Sequence, residues 1–164
     1  MDNNSTIKKI VIEKQYENKK NQIDNNLLNK NNQLLYINKL FLNENICDEC
    51  IYIKKEITKK LNSYIYQDKQ KNIYDNTSGL TFDDIIIKLM ESKLKCTYCK
   101  KDVLIIYDKK LQQNQWTLDR TNNYEGHNND NTVICCLNCN IKRGRINNKK
   151  FLFTKQLVIK KKDD

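Results

Sequence analysis

Two Cys-x-x-Cys pairs, Cys96-Thr-Tyr-Cys99 and Cys136-Leu-Asn-Cys139, constrain this chain more than any other feature. Each pair forms a tight knuckle, and four thiolates at this spacing make a closed tetrahedral site. The spacing therefore predicts structural Zn²⁺ on Cys96, Cys99, Cys136 and Cys139. Cys135 is an alternative fourth ligand, but Cys136-x-x-Cys139 makes the regular knuckle and leaves Cys135 to the core. Zinc alone does not specify function, because many small modules bind it only to fold. Between the pairs lie the only Trp (Trp116), the only His (His127) and Arg120.

The formal charge of +10 points to a polyanionic partner. The chain has no Pro and no Ala and is flooded with Asn, Lys and Ile, the imprint of AT-rich coding. Under that bias a Lys excess says little. Arginine runs against it, and the three arginines, Arg120, Arg143 and Arg145, all fall in or just past the cysteine stretch. Seven cysteines, four at zinc spacing, do not make a disulfide framework and suit a reducing, intracellular compartment. The N-terminus is polar and the apolar runs are short, so neither a signal peptide nor a membrane span is predicted.

Residues 1–79 read as an Asn/Lys-rich helical extension ending in a linker. Ile7, Ile10 and Val11 fit one short helical face, and Leu34, Ile37, Leu40 and Phe41 another. Tracts such as Asn18–Asn21 and Asn29–Asn32 look like connectors. Over 46–66, Ile46, Cys50, Ile53, Ile57, Leu61 and Tyr64 form a continuous apolar stripe and predict a helix. Cys47 and Cys50 make a third Cys-x-x-Cys, which reads as half of a second metal site or as two small residues near that stripe. Residues 67–79 carry no period and predict a linker.

Residues 80–164 form the second region. Thr81 with Asp84 is a shortened capping box opening a helix that buries Phe82, Ile85, Ile86, Leu89 and Met90. Val103–Tyr107, Trp116–Arg120 and Thr132–Cys135 read as strands. Leu137–Arg143 reads as a short helix with Leu137 and Ile141 on one face and Gly144 at the stop. Residues 151–159 form an apolar segment expected to pack back on the core. The fold class is α+β.

Asn140 directly follows the last zinc thiolate, and one helical step turns a side chain by about 100°. With Cys139 aimed at zinc, Asn140 can aim at the neighbouring hairpin, where Asp119 ends its strand. A carboxylate and an amide oxygen are hard ligands, suited to Mg²⁺ or Mn²⁺ rather than zinc.

Asp119-Arg120, Asn131 and Cys136-x-x-Cys139-Asn140 together resemble the ββα-metal motif of HNH endonucleases, above all the zinc-clamped, endonuclease VII-like branch. Residues 81–159 also resemble HNH-like proteins of large DNA viruses, which share the Trp-Thr-Leu-Asp-Arg strand, the Gly-His loop, the Cys-x-x-Cys-Asn helix and the Phe-Thr-Lys-Gln-Leu tail. The resemblance implies a nuclease with catalytic Mg²⁺ on Asp119 and Asn140, and Asn131 bracing the loop and orienting the base. It departs at Arg120, where the family has the base histidine. Arginine stays protonated and cannot be that base, although it can hold phosphate.

His127 then either replaces the strand histidine, swung back by a positive-φ turn at Gly126, or only shapes its loop. Metal-generated hydroxide is a third source of base. Lys142, Arg143, Arg145, Lys149 and Lys150 read as phosphate contacts, or as a solvated charged surface. The expected function is metal-dependent hydrolysis of nucleic acid, DNA first, by a chain whose N-terminal helices offer a homodimer surface. The rival is a zinc-folded module that binds nucleic acid or protein without catalysis.

Overall fold

Helix α3, Asp48–Gln70, is the spine of the computed structural model, which describes residues 23–44 and 47–157. Cys50, Ile53, Ile57, Leu61 and Tyr64 are buried along one face, as their spacing predicts. Asp48 and Glu49 occupy the first turn, where negative charge meets the positive end of the helix dipole. The helix runs to Gln70, so the predicted linker starts late; Gln67, Lys69 and Gln70 all propagate a helix well. The buried stripe gains one more turn, and its last member is Asp68, 2% exposed. Ile46 and the cluster at Ile7, Ile10 and Val11 lie outside the described residues, as do Asn18–Asn21 and residues 158–164.

Ahead of α3 come α1 (Asn25–Leu28) and α2 (Lys30–Leu42), and α2 packs on α3. The expected connector at Asn29–Asn32 is the start of α2. The Asn29 side chain accepts from the N–H groups of Asn31 (2.8 Å) and Asn32 (3.4 Å), satisfying helix-end donors. The buried positions of α2 are Gln33, Ile37 and Leu40, while Phe41 is 48% exposed. Gln33 completes the stripe in place of Phe41 because its amide has work in the core. Its Oε1 accepts from the N–H of Ile105 (2.7 Å) and Ile106 (3.3 Å). Its Nε2 donates to Ile106 O (2.9 Å) and Leu27 O (2.7 Å).

That amide corrects the reading of Val103–Tyr107 as a strand. Buried backbone groups need partners, and here Gln33 supplies them at Ile105 and Ile106, while Leu94 O, Asn114 O and Trp116 N–H serve Val103 and Leu104. The segment makes a single parallel bridge, Leu104 to Gln115, and buries Val103, Ile105 and Ile106 as core.

Helix α4, Phe82–Glu91, opens with the predicted capping box. Thr81 Oγ1 accepts from Asp84 N–H (3.2 Å), and Thr81 N–H donates to Asp84 Oδ2 (2.9 Å). Ile85, Ile86 and Leu89 are buried, with Phe82 and Met90 half-buried.

Strands β1 (Trp116–Arg120) and β2 (Thr132–Cys136) pair antiparallel, Trp116 opposite Cys136 and Arg120 opposite Thr132. The other edge of β1 is covered by α3. Tyr64 Oη accepts from Leu118 N–H (3.0 Å), and Lys60 Nζ donates to Trp116 O while its ammonium lies 4.8 Å from the Trp116 ring. Helix α5 (Leu137–Arg143) follows β2 without a linker and stops at Gly144, φ 50°. Ile141 is exposed and Leu137 half-buried, so the buried face of α5 is Cys139 and Arg143 instead. Helix α6 (Asn148–Gln156) buries Phe151, whereas Phe153 and Leu157 stay exposed.

One buried cluster joins Ile37, Ile53, Leu89, Trp116 and Ile134, so the regions expected to divide near residue 79 share a core. Among the described residues no helix is long and apolar enough to cross a membrane.

Candidate active site and cysteine cluster

The first knuckle is tied to the sheet, since Thr97 N–H donates to Ile134 O (2.9 Å). Within it, Lys100 N–H donates to Cys96 O (2.9 Å), with Lys100 at φ 59°. The second knuckle spans the β2–α5 junction. Cys136 caps α5, and its sulfur accepts from Cys139 N–H (3.4 Å). The sulfurs of Cys96, Cys99, Cys136 and Cys139 all lie within 4.8 Å of one another, and those of Cys99 and Cys136 are 3.9 Å apart. A tetrahedral ion with metal–sulfur bonds of about 2.3 Å needs sulfurs about 3.8 Å apart, so the four cysteines can hold a metal such as zinc.

Hydrogen bonding to Cys136 draws the Cys96 thiol down to about 4, while that bond and burial push the Cys136 thiol up. Burial and the Cys96 charge push Cys139 up to about 12. Four thiolates so close can coexist only around a cation. Cys135 faces away, its sulfur 3.1 Å from Thr117 Oγ1 in the core. Cys47 and Cys50 sit at the start of α3 with sulfurs 2.9 Å apart, and no metal-ligand group among the described residues includes them.

Asn140 turns toward the hairpin as expected, its Nδ2 donating to Thr117 Oγ1 (3.1 Å) and Leu118 O (3.3 Å). It lines a cavity of about 420 Å³ together with Asp119, Arg120, His127, Lys71 and Arg145. The structure thus brings Asp119, Asn140, Arg120 and His127 to one place.

Asp119 is committed there already. Tyr98 Oη donates to its Oδ2 (2.5 Å) and Arg143 Nη2 to its Oδ1 (2.6 Å). Arg143 Nε lies 2.6 Å from Oδ2 as an ion-pair contact, its N–H off the line to that oxygen. Arg143 is 4% exposed and also donates to Arg120 O (2.9 Å), Asn123 Oδ1 (2.8 Å) and Ile146 O (3.0 Å). Burial and the bond to Asp119 push the Tyr98 phenol up. Two expectations need correction. Arg143 is a buried partner of a carboxylate, not a surface phosphate contact. The residues expected to hold Mg²⁺ or Mn²⁺ do not fit a divalent ion in this arrangement, because Arg143 and Tyr98 already hold the two oxygens of Asp119.

Of the remaining basic residues, Arg145 lines the cavity, whereas Lys142, Lys149 and Lys150 are exposed and outside its lining.

Asn131 braces the loop between the strands and is buried. Its Oδ1 accepts from Thr121 Oγ1 (2.9 Å) and Asn122 N–H (2.8 Å), and its Nδ2 donates to Asn122 O and Gly126 O (both 2.9 Å). It makes no bond to the His127 ring. Asp68 does, with both carboxylate oxygens 2.9 Å from Nδ1 and Oδ2 accepting from the His127 backbone N–H (2.6 Å). The Tyr64 ring lies against the imidazole at 4.5 Å. Arg120 approaches Asp68 at 4.0 Å and donates to Glu125 O (3.0 Å). With Nδ1–H donated to the carboxylate, Nε2 of a neutral ring is the acceptor. Burial pulls the imidazole below its ordinary 6.5 despite the raising effect of Asp68.

Gly126 serves this contact differently from the expected positive-φ turn. Gly144 is the glycine at positive φ among the described residues, and Gly126 is needed for close approach. A Cβ at Gly126 would meet Ile73 O at 2.5 Å and Asp68 Oδ2 at 3.1 Å.

Comparison of the chain with protein families, curated proteins and solved structures returned no match. The geometry of the site is what carries a functional reading. Asp68, Lys71 and Tyr98 are members of it that sequence reasoning missed. Asp68 alone left a signal, a carboxylate in register with the apolar stripe of α3.

Proposed function

We propose that the chain is an HNH-type endonuclease that hydrolyses nucleic-acid phosphodiester bonds, DNA first, with structural zinc on its four clustered cysteines. The observation that carries this reading is the His127–Asp68 pair facing a cavity lined by Arg120, Arg145 and Lys71. His127 accepts a proton at Nε2 from the attacking water, while Asp68 holds Nδ1–H and the ring orientation. The water oxygen bonds to phosphorus as the bond to the sugar oxygen breaks, and that oxygen leaves as a hydroxyl with a proton taken from solvent. The negative charge on the non-bridging oxygens faces Arg120 and Arg145. No step runs through a divalent ion, since Asp119 is held by Arg143 and Tyr98.

The test is incubation of the purified zinc-loaded protein with supercoiled, linear and branched DNA and with RNA, with and without Mg²⁺ or Mn²⁺. Cleavage is expected. Electron paramagnetic resonance of added Mn²⁺ is expected to show no site in the cavity of the wild-type protein. A Mn²⁺ site that disappears in Asp119→Asn would return the divalent ion to the mechanism.

One observation favours the binding-module reading: Asp119 is neutralised by Arg143, and Arg120 stands where the family has its base. Binding of all these substrates with cleavage of none would establish that reading instead.

A further inference from the structure

The loop between β1 and β2 carries an aromatic ring that does nothing for the fold. Tyr124 is 90% exposed. Its backbone is nevertheless held by the two residues before it. Tyr124 N–H donates to Asn122 Oδ1 (3.1 Å), and Asn122 is pinned through its own N–H and C=O by the buried Asn131 side chain. The neighbouring Asn123 is locked as well, its Nδ2 donating to Gly144 O (3.3 Å) and its Oδ1 accepting from Arg143. An exposed ring on a fixed mount loses little conformational freedom when a flat ligand stacks on it.

Beside the ring opens a second cavity, of about 470 Å³, with Ile146 and Asn147 contributing further wall. Ile146 is itself half-exposed, so the cavity has two apolar surfaces among amide and guanidinium groups. Asn123, Arg143 and Arg145 line both this cavity and the one that holds His127. Arg143 is committed to Asp119, which leaves Arg145 as the cation at the boundary. Through Arg145 the wall that carries Tyr124 adjoins the cavity in which the nuclease reading puts the phosphate.

We infer that this second cavity is a nucleobase subsite in which Tyr124 stacks on an unpaired base flanking the scissile phosphate. The inference rests on the nuclease reading for the place of that phosphate, and it names the substrate class. A base inside a duplex has both faces covered by its neighbours, so stacking on a protein ring requires a single strand, a bulge or a frayed junction. Stacking on one ring is sequence-tolerant because every base has a π-face.

The test uses the full-length, zinc-loaded protein and short oligonucleotides carrying 2-aminopurine, whose fluorescence falls when it stacks. The oligonucleotides are single-stranded, bulged or fully paired, and gels verify that they are intact at the time of reading. Single-stranded and bulged probes are expected to bind with quenching, and the fully paired probe to bind more weakly without it. Tyr124→Ala is expected to weaken single-strand binding roughly 5- to 150-fold and to abolish the quench. Tyr124→Phe, which keeps the ring and drops only the hydroxyl, is expected to retain both. The inference is overturned if Tyr124→Ala binds and quenches like wild type, or if paired and unpaired probes behave alike. Quenching that depends on Tyr124, in a protein that cuts nothing, would sink the nuclease reading and leave the subsite standing. Cleavage indifferent to Tyr124 would do the reverse.

Discussion

His127→Ala is expected to slow nucleic-acid cleavage by roughly 10²- to 10⁴-fold, the usual contribution of a positioned general base. Binding should change little, because phosphate contacts dominate affinity for nucleic acid. The wild-type rate should fall on the acid side as the imidazole gains a proton. Burial places that limb below the ordinary 6.5. Asp68→Asn provides the sharper check. The Asp68 carboxylate raises the proton affinity of His127, so its removal should move the acid limb to still lower pH while also slowing the reaction. A residue that merely filled space would leave the pH profile where it was. The same burial bears on stability. The unfolded chain binds more protons than the native one below the unfolded value near 6.5. This contribution to stability is therefore complete above that pH and is lost as pH falls through the lower folded value. Cleavage by His127→Ala at the wild-type rate would leave the imidazole with a purely structural part.

Chelation is expected to have the largest effect on the fold. The cysteine cluster joins the turn after α4 to the β2–α5 junction, and metal binding in small modules supplies on the order of 10 kcal/mol of folding free energy. Metal analysis should find one zinc per chain. Stripping it should abolish the near-ultraviolet signal of the buried Trp116, which pairs opposite Cys136 in the sheet. A chain that keeps that signal without metal would show that the cluster is not what holds the hairpin. A second zinc would place Cys47 and Cys50 in a site after all.

What could be read from the residues in order was the local chemistry. A Cys-x-x-Cys turn, a Thr–Asp capping box and a glycine at a helix end are each decided within four or five residues. The cluster, the start of α4 and the stop of α5 accordingly fell where expected. What could not be read depends on partners far along the chain. Val103–Tyr107 has the composition of a strand, and the amide of Gln33, more than seventy residues earlier, serves the backbone of Ile105 and Ile106 where a neighbouring strand was expected. Arg143 lies in a basic run that looks solvated, yet it is turned inward by a carboxylate on another element. Asp68 was hidden by a linker reading that ended α3 a turn early. Composition misled in both directions: the asparagines at Asn29–Asn32 read as a connector but open and cap a helix, and the phenylalanine expected inside at Phe41 is half outside.

The shared core has a consequence for how this chain is moved or copied. A fragment beginning near residue 80 would carry both knuckles of the cysteine cluster and the residues between them. It would lack α3, and with it the carboxylate that turns the imidazole and the side chains that cover the free edge of β1. Such a fragment could keep its metal and its grip on phosphate while its histidine drifted out of alignment. A gene fusion that transplanted only the motif-bearing half would therefore leave behind the partner of His127, and the proposed activity is expected to travel only with α3 included.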